Sequence, residues 1–389
     1  MTVPRRRIFR HKDLSRLFNP RSIAIVGASA NPMSLGSRTA WHLQQFNGPV
    51  LQVNPRHDRI GEQPCYPTIA SLPQTPDCVV ITVPREAVEE AVTQCADRGV
   101  GGVVIYAAGY AETGLPERIA MQERLTAIAS ASGMKILGPN CLGFVNFPHN
   151  VIVSFSKGDI TRETGHSAGV GVVSQSGAVG FALFQGSRRG VAMSHVIASG
   201  NSCSLDLADE IAYLAEEPEC RAIVCVLEGL ADPARLIEAG EIAWAADKPL
   251  IVCKLGTGEK GAAAALSHSG SLAGSIDAYR AAFERAGIIM LNDLEVLVET
   301  ASFFAKAPRR PATHGVAVVA ISGGAAVSST DKAENHGVPM PQPAAQTIAG
   351  LKAIIPEFGS AQKSLRRDRH GRQQARNTPG LTPILIAPH

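Results

Sequence analysis

Aromatic residues make up only 5 % of this 389-residue chain, which excludes a core of large ring clusters and leaves Val, Ile, Leu and Ala to fill the interior. Small aliphatic residues of that kind suit parallel sheets tightly covered by helices. The eight cysteines include no Cys-x-x-Cys pair and join no His/Cys cluster at zinc spacing, so neither a disulfide framework nor a metal site is expected. Cys78, Cys225 and Cys253 sit inside apolar runs and read as small core residues; reduced thiols in a cytoplasm fit best. No run of about 18 apolar residues and no signal-peptide h-region occurs, so no membrane span is expected. Charge is sparse too, at 18 % of residues with a net of +3. Basic residues crowd the two ends, at Arg5, Arg6, Arg7 and Arg10 and again between Lys363 and Arg376. The near-neutral middle offers no nucleic-acid face, and the basic clusters are expected to be solvated, partly disordered ends.

What is present is a repeated alternation of short apolar runs with helix-like segments. Apolar runs fall at residues 22–26, 50–53, 78–83, 102–106 and 135–137, then at 170–173, 195–198, 222–227, 249–254 and 315–321. Continuous runs separated by helical stretches point to parallel strands in βαβ units. Amphipathic helices are predicted at 85–98, 207–214, 233–245 and 277–286. The length allows two to three domains. We place a first from residue 12 to 146 and a second from 165 to 306, after a loop carrying Gly158, Thr161 and Gly165. A Pro/Arg linker at 308–311 leads to a third α/β unit over 315–362, with a helix at 325–336, that stops short. Residues 363–389 form an atypical basic tail without strand–helix alternation.

Two places carry candidate chemistry. Ile23-Ala24-Ile25-Val26 runs into Gly27-Ala28-Ser29, with Gly36 following. A strand ending in a glycine turn that opens a helix presents backbone N–H groups to phosphate. The spacing is not Gly-x-Gly-x-x-Gly, and Val53-Asn54-Pro55-Arg56 puts no acid at the end of the second strand. That pattern favours a nucleotide with an extra phosphate over NAD; a doubly wound domain without a ligand stays open. Farther on, His268 lies in Ser267-His268-Ser269-Gly270-Ser271-Leu272-Ala273-Gly274 after an alanine run. Small neighbours leave room around an imidazole, which can accept and release a phosphoryl group. By itself the residue reads more readily as a structural loop histidine. Ser174-Gln175-Ser176-Gly177 after a strand is a common helix start, and Glu228 reads as an acid at a strand end.

In chain order the motifs are Gly27-Ala28-Ser29, Val53-Asn54-Pro55, Val83-Pro84, Gly138-Pro139-Asn140-Cys141-Leu142-Gly143, Ser174-Gln175-Ser176-Gly177, Glu228-Gly229 and Ser267-His268-Ser269-Gly270. Over residues 12–362 this set resembles the α-type portion of NDP-forming (ADP-forming) acyl-CoA synthetases, in the succinyl-CoA synthetase superfamily. The resemblance implies a Rossmann-like CoA-binding domain, then a flavodoxin-like phosphohistidine domain and an incomplete second flavodoxin-like unit. By position, Gly27, Ala28, Ser29 and Gly36 would approach the CoA phosphates, and Val53, Asn54, Pro55 and Arg56 would border its nucleotide end. Val83, Pro84, Ala108 and Gly109 would line the pantetheine path, with Asn140 near the thioester. His268 would carry the phosphoryl group, Glu228 would orient its ring, and Ser174, Gln175, Ser176 and Gly177 would bind the phosphate. The implied reaction interconverts acyl-CoA, phosphate and NDP with carboxylate, CoA and NTP through an acyl phosphate and phosphohistidine.

The sequence departs from that pattern in two respects. It holds no ATP-grasp module and no Gly-x-x-x-x-Gly-Lys-Ser/Thr loop, so ATP/ADP and Mg are expected on a β-type partner subunit or fused module. After Gln362 it switches to the basic tail, which reads as a truncation or frameshift. A non-catalytic CoA-binding or regulatory module, or a remnant of a fused synthetase, is the alternative; retention of both His268 and Glu228 argues against it. An NAD(P)-dependent oxidoreductase is disfavoured by Asn54-Pro55. The acyl group is not legible.

Overall fold

The computed structural model describes residues 6–157, 160, 168–230, 232–261, 276–307, 315–320 and 322–355, and the backbone of 364–366. His268, the loop around 161–167, the linker at 308–314 and most of the tail lie outside the described residues. Contacts divide the chain into Met1–Ala307 and Pro308–His389.

The first sheet begins after helix α1 (His11–Phe18) with β1 (Ile23–Val26), then α2 (Leu35–His42), β2 (Val50–Val53), β3 (Arg59–Ile60), β4 (Gln63–Tyr66) and β5 (Cys78–Ile81). It closes with α3 (Val88–Asp97), β6 (Gly102–Ile105), α4 (Pro116–Ser132) and β7 (Lys135–Leu137). The strand order is β3-β4-β2-β1-β5-β6-β7, parallel throughout except for β3 against β4. Without the β3 edge this is the Rossmann order, and the chain reverses direction across the sheet between β1 and β5.

The second sheet contains β8 (Gly143–Asn146), β9 (Val151–Ser154), β10 (Gly169–Ser174), α5 (Gly177–Leu183), β11 (Met193–Ala198), α6 (Leu207–Glu216) and β12 (Cys220–Leu227). It continues with α7 (Pro233–Ala245), β13 (Leu250–Lys254), α8 (Ile276–Arg285), β14 (Ile289–Leu291) and α9 (Leu297–Lys306). Its order is β14-β13-β12-β10-β11-β8-β9. The five parallel strands follow the flavodoxin-like 2-1-3-4-5 arrangement, with β8 and β9 added antiparallel on the β11 side. Strand β8, read from sequence as the end of the first domain, is hydrogen-bonded into this second sheet: Phe144 pairs with Ile197.

Alternation along the buried strands sorts residues between faces. Ile23, Ile25 and Val80 join a core with Phe144, Val173, Ile197 and Cys225 of the second sheet. Ala24, Val79 and Ile81 face α3 and α4 on the other side. Val172, Val224 and Ile251 face α9. Helices α1 and α6 contribute Leu14, Leu17, Phe18, Ile211 and Tyr213 to the shared core.

Beside it lies a buried ionic knot. Asp209 has no exposed side-chain surface; it binds Arg6 at 2.5 Å, the Phe9 N–H at 2.8 Å and Arg235 at 3.0 Å. Arg235 also holds Asp206, the N-cap of α6, at 2.6 Å. Arg7 pairs with Asp13 and Arg10 with Glu216. Arg6, Arg7 and Arg10 thus stay partly solvated, as expected, but each is tied to an acid, Arg6 and Arg10 to partners far along the chain.

In the second unit, β15 (Val318–Ala320), α10 (Gly323–Asn335) and α11 (Ala345–Lys352) precede β16 (Ser364–Arg366). Strands β15 and β16 pair in parallel, so the tail expected to lack regular structure contains one short strand.

Replacing Arg235 with Met leaves Asp206 and the buried Asp209 short of a counter-charge, and should cost about 3 kcal/mol in denaturant unfolding. His195 supplies a pH test. It is fully buried, and neither ring nitrogen has a hydrogen-bond partner among the described residues. Burial pulls its pKa from 6.5 to about 3, so between those values the unfolded chain binds a proton that the folded chain refuses. Its contribution therefore destabilises the fold as pH falls below 6.5. Acidification from pH 6.5 to 5 should cost the wild type about 1.6 kcal/mol more than His195→Leu, read from unfolding curves at each pH.

Candidate functional site

Both sheets direct residues into crevices beyond the carboxyl ends of strands that diverge, the usual ligand position in open α/β sheets. In the first crevice, Gly27 ends β1 with φ +90°, and a Cβ there would stand 2.6 Å from Thr82 Oγ1. The Thr82 hydroxyl holds the turn from beneath, 2.9 Å from the Val26 carbonyl and 3.2 Å from that of Gly27. Gly36, in the first turn of α2, comes so close that a Cβ would lie 2.6 Å from the Gly27 carbonyl. The Asn54 side chain donates to the Ala28 carbonyl at 2.7 Å and accepts from the Arg56 N–H at 3.0 Å. This bracing leaves an open cleft of about 610 Å³ lined by Gly27, Val53, Asn54, Pro55, Arg56, Val83 and Pro84, with Thr68 and Gln94 among the additional walls.

Ala28, Ser29, Gly36, Ala108, Gly109 and Asn140 do not line that cleft. Ser29 is occupied locally, accepting from the Asn31 N–H at 3.1 Å. Ala108 is exposed. Gly109 adopts φ +92° under Arg85, whose Nη1 would lie 2.2 Å from an added Cβ. Glu112 accepts from the N–H groups of Gly109 at 2.5 Å and Tyr110 at 2.9 Å. Its carboxylate also receives the Asn201 amide at 2.5 Å, and Asn201 Oδ1 accepts from Asn140 at 3.3 Å. Asn140 has φ 57° and follows the cis Gly138–Pro139 bond. Glu112 and Asn201, which the sequence reading passed over, thus lace the loops after β6 and β7 to the loop after β11.

In the second sheet the topological switch point lies between β10 and β12. Gln175 is its brace: Nε2 donates to the Gly229 carbonyl at 2.8 Å, while Oε1 accepts from the N–H groups of Glu228 at 2.6 Å and Gly229 at 3.1 Å. Its amide is therefore committed to the strand end that bears Glu228, a residue only 9 % exposed. Ser174 Oγ donates to the Ser176 carbonyl at 2.7 Å, and the Ser176 hydroxyl caps the first turn of α5 at Val179. Gly177 opens that helix. Lys254, at the end of β13, donates to the Glu228 carbonyl at 2.6 Å. It closes an apolar strand with a charge, a signal visible in the sequence and not used. Among the described residues, no cluster of His, Cys, Asp and Glu could hold a metal ion, and no helix is long and apolar enough to cross a membrane.

Residues 21–146 match the family described as "CoA binding domain", and residues 167–304 the "Succinyl-CoA ligase like flavodoxin domain". Over 349 residues the chain is 34 % identical to acetate–CoA ligase [ADP-forming] II subunit alpha of Pyrococcus furiosus, spanning 89 % of this chain and 74 % of that one. It is 36 % identical to acetate–CoA ligase [ADP-forming] I of Archaeoglobus fulgidus over 88 % of this chain. There it spans only about half (49 %) of the relative's length. Among solved structures it superposes with TM-score 0.80 and 33 % identity on dinucleotide forming acetyl-coenzyme A synthetase 1 of Ca. Korarchaeum cryptofilum in complex with phosphate and ADP, over 92 % of this chain and 76 % of that one. The fold and its two crevices define a CoA-binding module joined to a succinyl-CoA-ligase-like module. The chain belongs to the ADP-forming acyl-CoA synthetase family, as its α-type portion.

Gln175→Ala removes the one acceptor shared by the Glu228 and Gly229 N–H groups. It should cost about 2 kcal/mol, measurable by denaturant unfolding, with a loss below about 0.5 kcal/mol contradicting the brace.

Proposed function

We propose that this chain performs the CoA and phosphohistidine chemistry of an ADP-forming acyl-CoA synthetase. A phosphate oxygen attacks the thioester carbonyl, the C–S bond breaks, and CoA leaves as a thiolate that takes up the phosphate proton. A ring nitrogen of His268 then attacks phosphorus, and the carboxylate departs. The phosphohistidine finally transfers its phosphoryl group to a nucleoside diphosphate, which an ATP-grasp partner or fused module would hold with Mg. A cytoplasmic location fits the eight free cysteines.

In this reading the first cleft holds CoA. Gly27 and Gly36 let the pyrophosphate approach the backbone of a glycine turn at a helix start, and Arg56 meets the nucleotide end. Val83 and Pro84 guide the pantetheine arm toward Gly109 and Asn140. In the second crevice Glu228 orients the His268 ring and stabilises its charge. The Ser176 and Gly177 N–H groups face the phosphoryl group, while Gln175 holds Glu228 in place.

The observation that carries the reading is the Gln175 brace, which commits a whole side chain to fixing the backbone of Glu228 and Gly229 at the strand-switch point. The 34 % identity to an ADP-forming ligase α subunit supports it. A purely regulatory CoA-binding module has no need of that brace, and the relatives named above are called ligases or synthetases.

The test is incubation of the purified chain with labelled phosphate and a panel of acyl-CoAs, acetyl-CoA first. Acid-labile, alkali-stable label on the protein is expected, absent in His268→Ala and slowed about 10- to 100-fold in Glu228→Gln. Bound CoA with no label from any acyl-CoA would sink the reading.

A further inference from the structure

Strand β13 ends on a charge that the scheme above leaves unused. Lys254 is only 4 % exposed. It pairs in register with Leu227, immediately before Glu228, and the Leu255 N–H continues the ladder to the Leu227 carbonyl at 2.8 Å. The Lys254 Nζ donates to the carbonyls of Glu228, at 2.6 Å, and Leu255. The Tyr279 ring centroid on α8 lies 5.7 Å from the same nitrogen. Lys254 precedes residues 262–275 in the chain and Tyr279 follows them, so one ammonium touches both flanks of the segment that carries His268.

A buried ammonium gives up hydration that two carbonyls only partly replace. Burial draws the Lys254 pKa down, and the Glu228 charge pushes it back up. A methionine would fill a similar volume without that desolvation. The positive charge must therefore serve something besides packing.

We propose that Lys254 is a positioning residue for phosphoryl transfer, clamping the Glu228 strand end opposite Gln175 and holding a fixed positive charge at the crevice. The proposal rests on the phosphohistidine reading. Gln175 fixes the N–H side of residues 228 and 229 and Lys254 the carbonyl side of 228, so Glu228 is gripped from both neighbouring strands. In the phosphohistidine reading that charge would offset the repulsion between a phosphoryl dianion and the Glu228 carboxylate.

The experiment measures the initial rate of labelling from labelled phosphate across acetyl-CoA concentrations, in the full chain and in Lys254→Met, Lys254→Gln and Lys254→Arg. CoA binding to each variant reports on folding. The two neutral variants should label about 10- to 100-fold more slowly at saturation, with the half-saturating acetyl-CoA concentration and CoA affinity unchanged. Lys254→Arg should recover most of the rate. Lys254→Met combined with Glu228→Gln should lose less than the product of the single effects, because both act on one carboxylate.

Unslowed labelling in Lys254→Gln, which keeps donors for the carbonyls, would remove the role of the charge. Wild-type rates in both neutral variants, or loss of CoA binding in all three, would overturn the proposal and leave phosphohistidine formation standing. A wild-type chain that takes no label overturns that reading, and this proposal with it.

Discussion

Parallel strands leave amides and carbonyls without ladder partners at their carboxyl ends, and both crevices are built from what satisfies them. In the first sheet the Thr82 hydroxyl and the Asn54 amide take the carbonyls of Val26, Gly27 and Ala28. In the second, the Gln175 amide takes both N–H groups and one carbonyl at Glu228–Gly229. A polar group in such a place must be bonded or solvated. Side chains that meet that demand fix the local backbone, and the remaining edge is free to face a ligand. The same demand explains the glycines: at Gly27 and Gly36 the backbones approach so closely that any Cβ would strike a neighbouring oxygen.

The two sheets act as one support. Alternating strand residues send half of each sheet into a shared core closed by α1 and α6. The buried Asp209, gripped by Arg6, Arg235 and the Phe9 N–H, ties the N-terminal segment to α6 and α7. Farther along, Asn201 binds Glu112, Gln122 and Asn140 together. The loops beyond β6, β7 and β11 therefore hold one another in register. In the proposed reaction, that lacing matters because the thioester end of CoA would lie there, and small displacements of reacting atoms cost rate steeply.

Charge near the second crevice is arranged with the same economy. Lys254 brings a buried ammonium to the Glu228 carbonyl, and Gln175 holds the Glu228 N–H without adding net charge. A site meant to receive a dianion beside a carboxylate needs fixed positive charge or aligned N–H groups in a low-dielectric setting. In the proposed reaction the start of helix α5, capped by Ser176, would supply the N–H groups.

The continuous apolar runs determined the central strands by themselves: β2 and β7 fall where the pattern puts them, and β1, β5, β6, β12 and β13 differ only at their edges. Burial on both faces writes that signal into adjacent residues, so one sequence suffices. Helix α7 was equally legible from its apolar period. Strands β3, β4, β8, β9 and β14 were not read from the sequence, and that β8 pairs with β11 depends on a distant partner. The glycine turn, Asn54, Gln175 and Glu228 stood out as motifs, yet their hydrogen bonds did not. Nothing local says that Gln175 reaches across to the end of β12, that Arg6 meets Asp209, or that Lys254 is buried rather than solvated. Residue type and periodicity are local quantities and survive in the linear chain. Which polar group satisfies which strand end is decided by strand order and register, and these exist only once the sheets are assembled.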